Sequence, residues 1–406
     1  MDASNVLDAY RYYRTKLRGT DSTDEPIDPG LVLEVIERRL MVVSINLGEA
    51  DDPYLIFESL NFKGSPLTQA DLIRNYYLMR FPVSDQQNIY DRLWLPMQNT
   101  LREELNDFMW RYMMMVTGEA TRRGEIYAQL KKRLQNQKPE EVVASLTEMA
   151  RHAEYYETFI TPTSEGHLAA ARQLERLQRW EVEIARPLLL ALAQRRREGG
   201  VNNGGYVKAL QAIESYVVRR TVCEIPTNTL QKVFIDMAPR LVAGESATWL
   251  IEWLAGLTGV RRWPTDDEFK ARWVTYPIYG YRSDRCKFVL ESLEDAYQHR
   301  EQGSYLQATI EHILPQSLTD EWRAELGDAA DAVSATHLNT IGNLTLTAYN
   351  SELSNVSFKR KRAIYSDSHY ELTSRLTTVQ KWDAAAIEVR AQDMWKSAKD
   401  IWWRPA

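Results

Sequence analysis

Apolar residues return every three or four positions along Ile89–Met97, Leu101–Val116, Val142–Tyr156, Leu168–Leu192, Tyr206–Val222 and Leu230–Leu241. That period places one apolar stripe on each helix, so this stretch predicts a multi-helix bundle. Its expected breaks are Gly118–Gly124, Asn136–Pro139, Thr161-Pro162-Thr163 and the glycine-rich loop Gly199–Gly205. Upstream, the pattern predicts a short helix over Val6–Leu17, an acidic turn around Asp21–Pro29, and an apolar stretch, Leu31–Leu47, that reads as a helix running into a strand. Leu55–Leu60 suits the first turns of a helix and Lys63-Gly64 a left-handed turn. Thr68 followed by Asp71 is a helix N-cap pattern for a helix from Gln69 to Phe81, stopped by Pro82.

A second pattern begins at Arg261-Arg262-Trp263-Pro264-Thr265, where proline stops the chain and Thr265 caps a helix carrying Phe269 to Val274. It continues as a helix (Arg285–Tyr297), a short strand (Thr309–Ile313), a loop, a second strand (Gly342–Thr347) and helices from Ser351 onward. The expected fold is mainly α, with domains at 1–84, 85–260 and 261–406.

Composition bounds the function classes. A chain of 406 residues, 44% hydrophobic and 26% charged, has room for more than one core. No run of ~18 uninterrupted apolar residues occurs and the first residues show no apolar signal region, so the expectation is no membrane contact and a cytoplasmic location. Two cysteines, Cys223 and Cys286, exclude a disulfide framework and a four-cysteine zinc knuckle. With a net charge of −6, any contact with nucleic acid has to come from local basic patches or a partner.

Chemistry concentrates in Ile310-Glu311-His312-Ile313-Leu314-Pro315-Gln316-Ser317, then Gly342-Asn343-Leu344-Thr345-Leu346, then Asn350. Hydrolysing a phosphodiester requires a water deprotonated near neutral pH and compensation of the charge that builds on phosphate. His312 suits the first task, because imidazole titrates nearest the working pH. Successive residues of a strand point to opposite faces, but at a strand end Glu311 and His312 can share one cleft. A hard cation such as Mg²⁺ prefers oxygen and keeps several waters, so Glu311 and the amide of Asn350 suffice as protein ligands.

The run EHILPQS, then NLTLT about thirty residues on, Asn350 and the basic helix NVSFKRKRAIY resemble the HNH (ββα-metal, His-Me finger) nuclease domain. In particular they resemble the form that ends restriction and phage-defence proteins of the GmrSD, BrxU and SspE type; the HNH domain of CRISPR effector nucleases is also similar. The resemblance implies a small ββα-metal domain after the bundle, with His312 as general base and Asn343 bracing its loop. It implies one Mg²⁺ or Mn²⁺ ion held by Glu311, where aspartate is usual, and by Asn350, where histidine is more common. It further implies double-stranded DNA as substrate, with Lys359 or Lys361 on the scissile phosphate or its neighbours. Ile56–Asn61, Lys63-Gly64, Leu67-Thr68 and Asp71–Tyr76 resemble the end of the nucleotide-handling domain of the same proteins, whose DGQQR-like motif is not found in this sequence. The expectation is therefore a C-terminal portion, controlled by an N-terminal domain or partner subunit.

Simpler readings stand beside these. Asn343 and Asn350 are also favoured in turns, and His337, a candidate to assist the metal or phosphate, also suits a structural hydrogen bond. The run Lys359-Arg360-Lys361-Arg362 is either a solvated helix face or a DNA-backbone contact. Two functions follow: a metal-dependent DNA endonuclease of an anti-phage or modification-dependent restriction system, which nicks because one site cuts one strand and needs a homodimer or successive nicks for a double-strand break; or a non-catalytic DNA- or partner-binding module on an inactive nuclease fold.

Overall fold

A computed structural model describes residues 3–20, 25–41, 67–280, 283–297, 305, 307–348 and 350–405. The chain divides into two compact units, Met1–Pro66 and Leu67–Ala406. The first holds the helices Ala3–Lys16 and Pro29–Arg38. Asp28 caps the second by accepting from the Gly30 N–H, and Pro29 opens it without leaving an orphan donor. The strand expected toward Leu47, and Glu58, Asn61, Lys63 and Gly64, lie outside the described residues.

The second unit is helical from Gln69 to Ala255 apart from short connections. The Thr68 hydroxyl and Asp71 carboxylate form a reciprocal capping box, as their spacing predicts. The expected Leu168–Leu192 helix is instead two helices, Leu168–Arg179 and Arg186–Arg197, parted where Glu181 turns to a φ of 59°. Trp180 and Val182 stay buried through that corner. The apolar period reports burial, which persists there, and is blind to the interruption of the backbone. The glycine-rich loop is also shorter than expected, because the Asn202 side chain accepts from the Gly205 N–H at 2.8 Å and starts a helix at Asn203. A further helix, Ala247–Ala255, is capped by Ser246.

Beyond residue 261 come the helices Asp266–Thr275, with Thr265 and Glu268 in a capping box, and Ser283–Asp295. Two strands, β1 (Thr309–His312) and β2 (Leu344–Thr347), pair antiparallel with Glu311 opposite Thr345 and His312 opposite Leu344. The connection between them carries the helices Asp320–Leu326 and Ala330–His337. After β2 the chain forms Asn350–Leu353, Phe358–Tyr365, Glu371–Ser374 and the long Ala384–Ile401 helix. The protein is thus mainly helical, with one two-stranded sheet among the described residues. Ile313, Leu314, Trp322, Phe358, Tyr365 and Trp382 share one core, so the residues just after His312 are anchored by burial. Gly342 passes so close to the Ala384–Ile401 helix that a Cβ would collide with the Ile387 carbonyl, which is why a side chain is not tolerated before Asn343.

The Asn203–Val222 helix holds the end of the chain. Glu214, 3% exposed, accepts from Arg176 Nε and Nη2 at 2.9 and 2.6 Å and from the Trp402 indole at 2.9 Å. Ser215 Oγ donates to the Trp403 carbonyl at 2.6 Å. Buried Arg219 donates to the Trp402 and Pro264 carbonyls and pairs with Asp266 at 2.7 Å. Replacing Glu214 by Leu removes one acceptor from two helices and the C-terminal indole at once. The expected cost is about 3 kcal/mol, because Arg176 loses its partner, and Glu214→Gln loses less; urea unfolding of the three proteins measures the difference.

Candidate active site around His312

β1 runs through His312, so its last two side chains leave opposite faces of the strand. Glu311 meets the Phe358–Tyr365 helix, where Lys361 Nζ donates to its Oε1 at 2.5 Å and to the His312 carbonyl at 2.8 Å. His312 turns instead to the Tyr279 ring, edge-on with centroids 4.4 Å apart, and places Nε2 3.3 Å from Asn339 Oδ1. The expected sharing of one cleft at the strand end does not occur. Pairing of His312 with Leu344 keeps the backbone extended through the last residue, and alternation then separates the two groups.

Asn343 is fully buried and uses both ends of its carboxamide. Oδ1 accepts from the Leu314 N–H at 2.7 Å and the Trp382 indole at 3.0 Å; Nδ2 donates to the Leu314 and Leu338 carbonyls at 3.0 and 2.9 Å. The Ile313 N–H donates to its backbone carbonyl at 2.9 Å. Arg390, from the Ala384–Ile401 helix, gathers the carbonyls of Gly342 and Leu344 at 2.8 Å each and of Leu372 at 3.2 Å, and burial lowers its pKa to about 10. The turn that carries Asn343 and the strand after it are therefore held from two sides.

The remaining expected residues separate. Asn350 opens the short Asn350–Leu353 helix, and its side chain lies outside the described residues. His337 has both nitrogens engaged, Nδ1 with Thr336 Oγ1 at 2.6 Å and Nε2 with Glu388 at 3.1 Å, which matches the structural alternative for it. Of the basic run, Lys359 and Arg360 are exposed. Arg362 donates to the Val379 carbonyl at 2.8 Å and to Gln380 at 3.0 Å. Lys361 is 0% exposed, so the expectation of a DNA contact there is corrected: a helix turns about 100° per residue, and this position faces the sheet.

Burial governs the electrostatics. It pushes the Glu311 carboxyl up, with Lys361 pulling it back, and pushes the Lys361 amine down, with Glu311 opposing. It also lowers His312, with Asn339 opposing, so the imidazole is held neutral to lower pH than usual. Among the described residues no three His, Cys, Asp or Glu side chains converge as a metal cage, and the one candidate carboxylate is already neutralised by an ammonium. The described donors do not fit a preformed divalent site.

Sequence reasoning missed Tyr279, Asn339 and Trp382. Trp382 is found only through its indole bond to Asn343. Tyr279 and Asn339 are joined through the backbone, Tyr279 N–H donating to the Asn339 carbonyl at 3.2 Å, across a sequence gap that no local pattern bridges. Asn339 alone carried a signal, lying four residues before Asn343 in the same turn.

No curated protein matches the chain. Residues 263–397 match the family model described as GmrSD restriction endonucleases, C-terminal domain, while residues 1–262 lie outside that match. All of the side chains described around His312 fall within the matched span, so it is this part of the chain that is similar to a GmrSD-type restriction endonuclease C-terminal domain.

Proposed function

We propose that the chain is an HNH-type DNA endonuclease in which His312 is the general base and nicking is the first product. The observation that carries the reading is the seating of His312: a buried, neutral imidazole on a strand end whose next residues are fixed by Asn343 and the core. With Asn339 Oδ1 accepting from Nε2–H, the lone pair resides on Nδ1. A water gives its proton to Nδ1 as its oxygen bonds to phosphorus, and the bond from phosphorus to the leaving oxygen breaks. Lys359 and Arg360, exposed on the helix behind Lys361, hold the strand by its phosphates.

The resemblance implies a divalent ion, Mg²⁺ or Mn²⁺, on Glu311 and Asn350, but Lys361 already occupies the Glu311 carboxylate. Because Glu311 is already paired, no step is assigned to it. In this reading the bundle of residues 85–260 links residues 1–84 to the nuclease of residues 261–406, and the protein acts as the effector of a restriction or anti-phage system. Val6, Leu7, Tyr10, Leu31 and Ile36 stand exposed on the first two helices, which supports a covering partner there. No described helix is long and apolar enough to cross a membrane, which is compatible with a cytoplasmic site of action. The alternative, a non-catalytic binding module, is favoured by one observation, the neutralised carboxylate.

Supercoiled plasmid with Mg²⁺ or Mn²⁺ tests the choice: His312→Ala is expected to lose about 10²–10⁴-fold in nicking rate, and equal nicking by both proteins would sink the assignment. Asn339→Ala frees the imidazole to rotate and is expected to lower the rate roughly ten- to a hundredfold with little change in DNA affinity. Since burial lowers the His312 pKa, the acid limb of the rate profile is expected below the ordinary imidazole value of about 6.5. Asn339→Asp, which stabilises the imidazolium, moves that limb to higher pH.

A further inference from the structure

Lys361 stands where a cation is wanted. Its ammonium, with no exposed surface, lies between the Glu311 carboxylate and the His312 backbone carbonyl, at 2.5 and 2.8 Å. The buried Tyr365 hydroxyl, one helical turn further on, has no hydrogen-bond partner among the described residues and senses the charge of Glu311. Between β1 and the Phe358–Tyr365 helix, two oxygens, one carboxylate and one carbonyl, are thus met by a side-chain cation. A divalent ion seated on the same carboxylate oxygen would lie against that ammonium and be repelled by it.

We propose that Lys361 is a built-in cation that takes the place of a divalent ion on Glu311, so that Glu311 and Lys361 are positioning residues that fix the strand end presenting His312. The proposal rests on the nuclease reading only for the role of His312. Charge compensation inside the fold keeps Glu311 buried and the His312 carbonyl fixed whether or not metal is present. Any divalent ion needed for cleavage is then held by other groups, including the DNA phosphates, and not by Glu311.

The experiment measures Mn²⁺ binding by isothermal titration calorimetry on the full chain without DNA, for wild type, Glu311→Gln, Lys361→Met and the double variant, with circular dichroism to check folding. The expected result is that Glu311→Gln leaves Mn²⁺ binding as in wild type, while Lys361→Met gains about tenfold or more in affinity. That gain is lost in the double variant, because Glu311 is then no longer a ligand. A fall of about tenfold in Mn²⁺ affinity on Glu311→Gln alone would overturn the proposal, as would a folded Lys361→Met protein that gains nothing. If Lys361→Met does not fold, Glu311→Gln decides by itself: unchanged binding supports the proposal and weakened binding overturns it. Undiminished plasmid nicking by His312→Ala would refute the nuclease reading instead, and would leave the Mn²⁺ result as it stands.

Discussion

One buried carboxamide holds the candidate site together. Asn343 satisfies both backbone groups of Leu314, the Leu338 carbonyl and the Trp382 indole with a single side chain. Those partners come from the end of β1, the connection before β2 and the segment before the last helix. A buried amide that finds all its partners is stabilising, and one that loses them costs its full desolvation. The four bonds therefore specify one arrangement of three segments, and with it the place of His312 two residues before Leu314. Gly342 permits that arrangement by leaving room for the Ile387 carbonyl, and Arg390 closes it by collecting carbonyls on the other side.

Opposite faces of β1 carry two different chemistries. On one, His312 has an aromatic edge and an amide oxygen, and burial there favours neutral imidazole with Asn339 opposing. On the other, Glu311 has an ammonium, and cross-strand Thr345 is hydrogen-bonded to Thr373 at 2.7 Å. The buried ion pair survives because its geometry is short and because Lys361 has a second acceptor in the His312 carbonyl. That second bond ties the electrostatics of one face to the backbone of the residue that serves the other.

The helices before residue 256 and the region after residue 261 interlock through side chains. Glu214, Ser215 and Arg219, on consecutive turns of one helix, bind Trp402, Trp403, Pro264 and Asp266. Arg179 pairs with Glu291, and Arg176 Nη1 reaches Ser292 at 3.1 Å, so a second helix grips the Ser283–Asp295 helix packed against the sheet. A displacement of the bundle helices would be transmitted to the sheet through these bonds, since Glu214, Ser215, Arg219, Glu291 and Ser292 are buried.

The sequence by itself determined the helical bundle, the N-caps at Thr68 and Thr265, the two strands and the grouping of chemistry at Glu311, His312 and Asn343. These depend on period, capping chemistry and short spacings, all of which are local. It misjudged the break at Glu181, where burial continues across a turn, and it treated four consecutive basic residues as one surface when helical rotation exposes only two clearly. Tertiary structure alone decided that Glu311 and His312 face apart, that Lys361 lies beside the carboxylate, and that Tyr279, Asn339 and Trp382 join the candidate site. The physical reason is that a pairing such as Lys361 with Glu311, or Trp382 with Asn343, is selected by burial and distance between segments tens of residues apart, and no pattern within one segment carries that information.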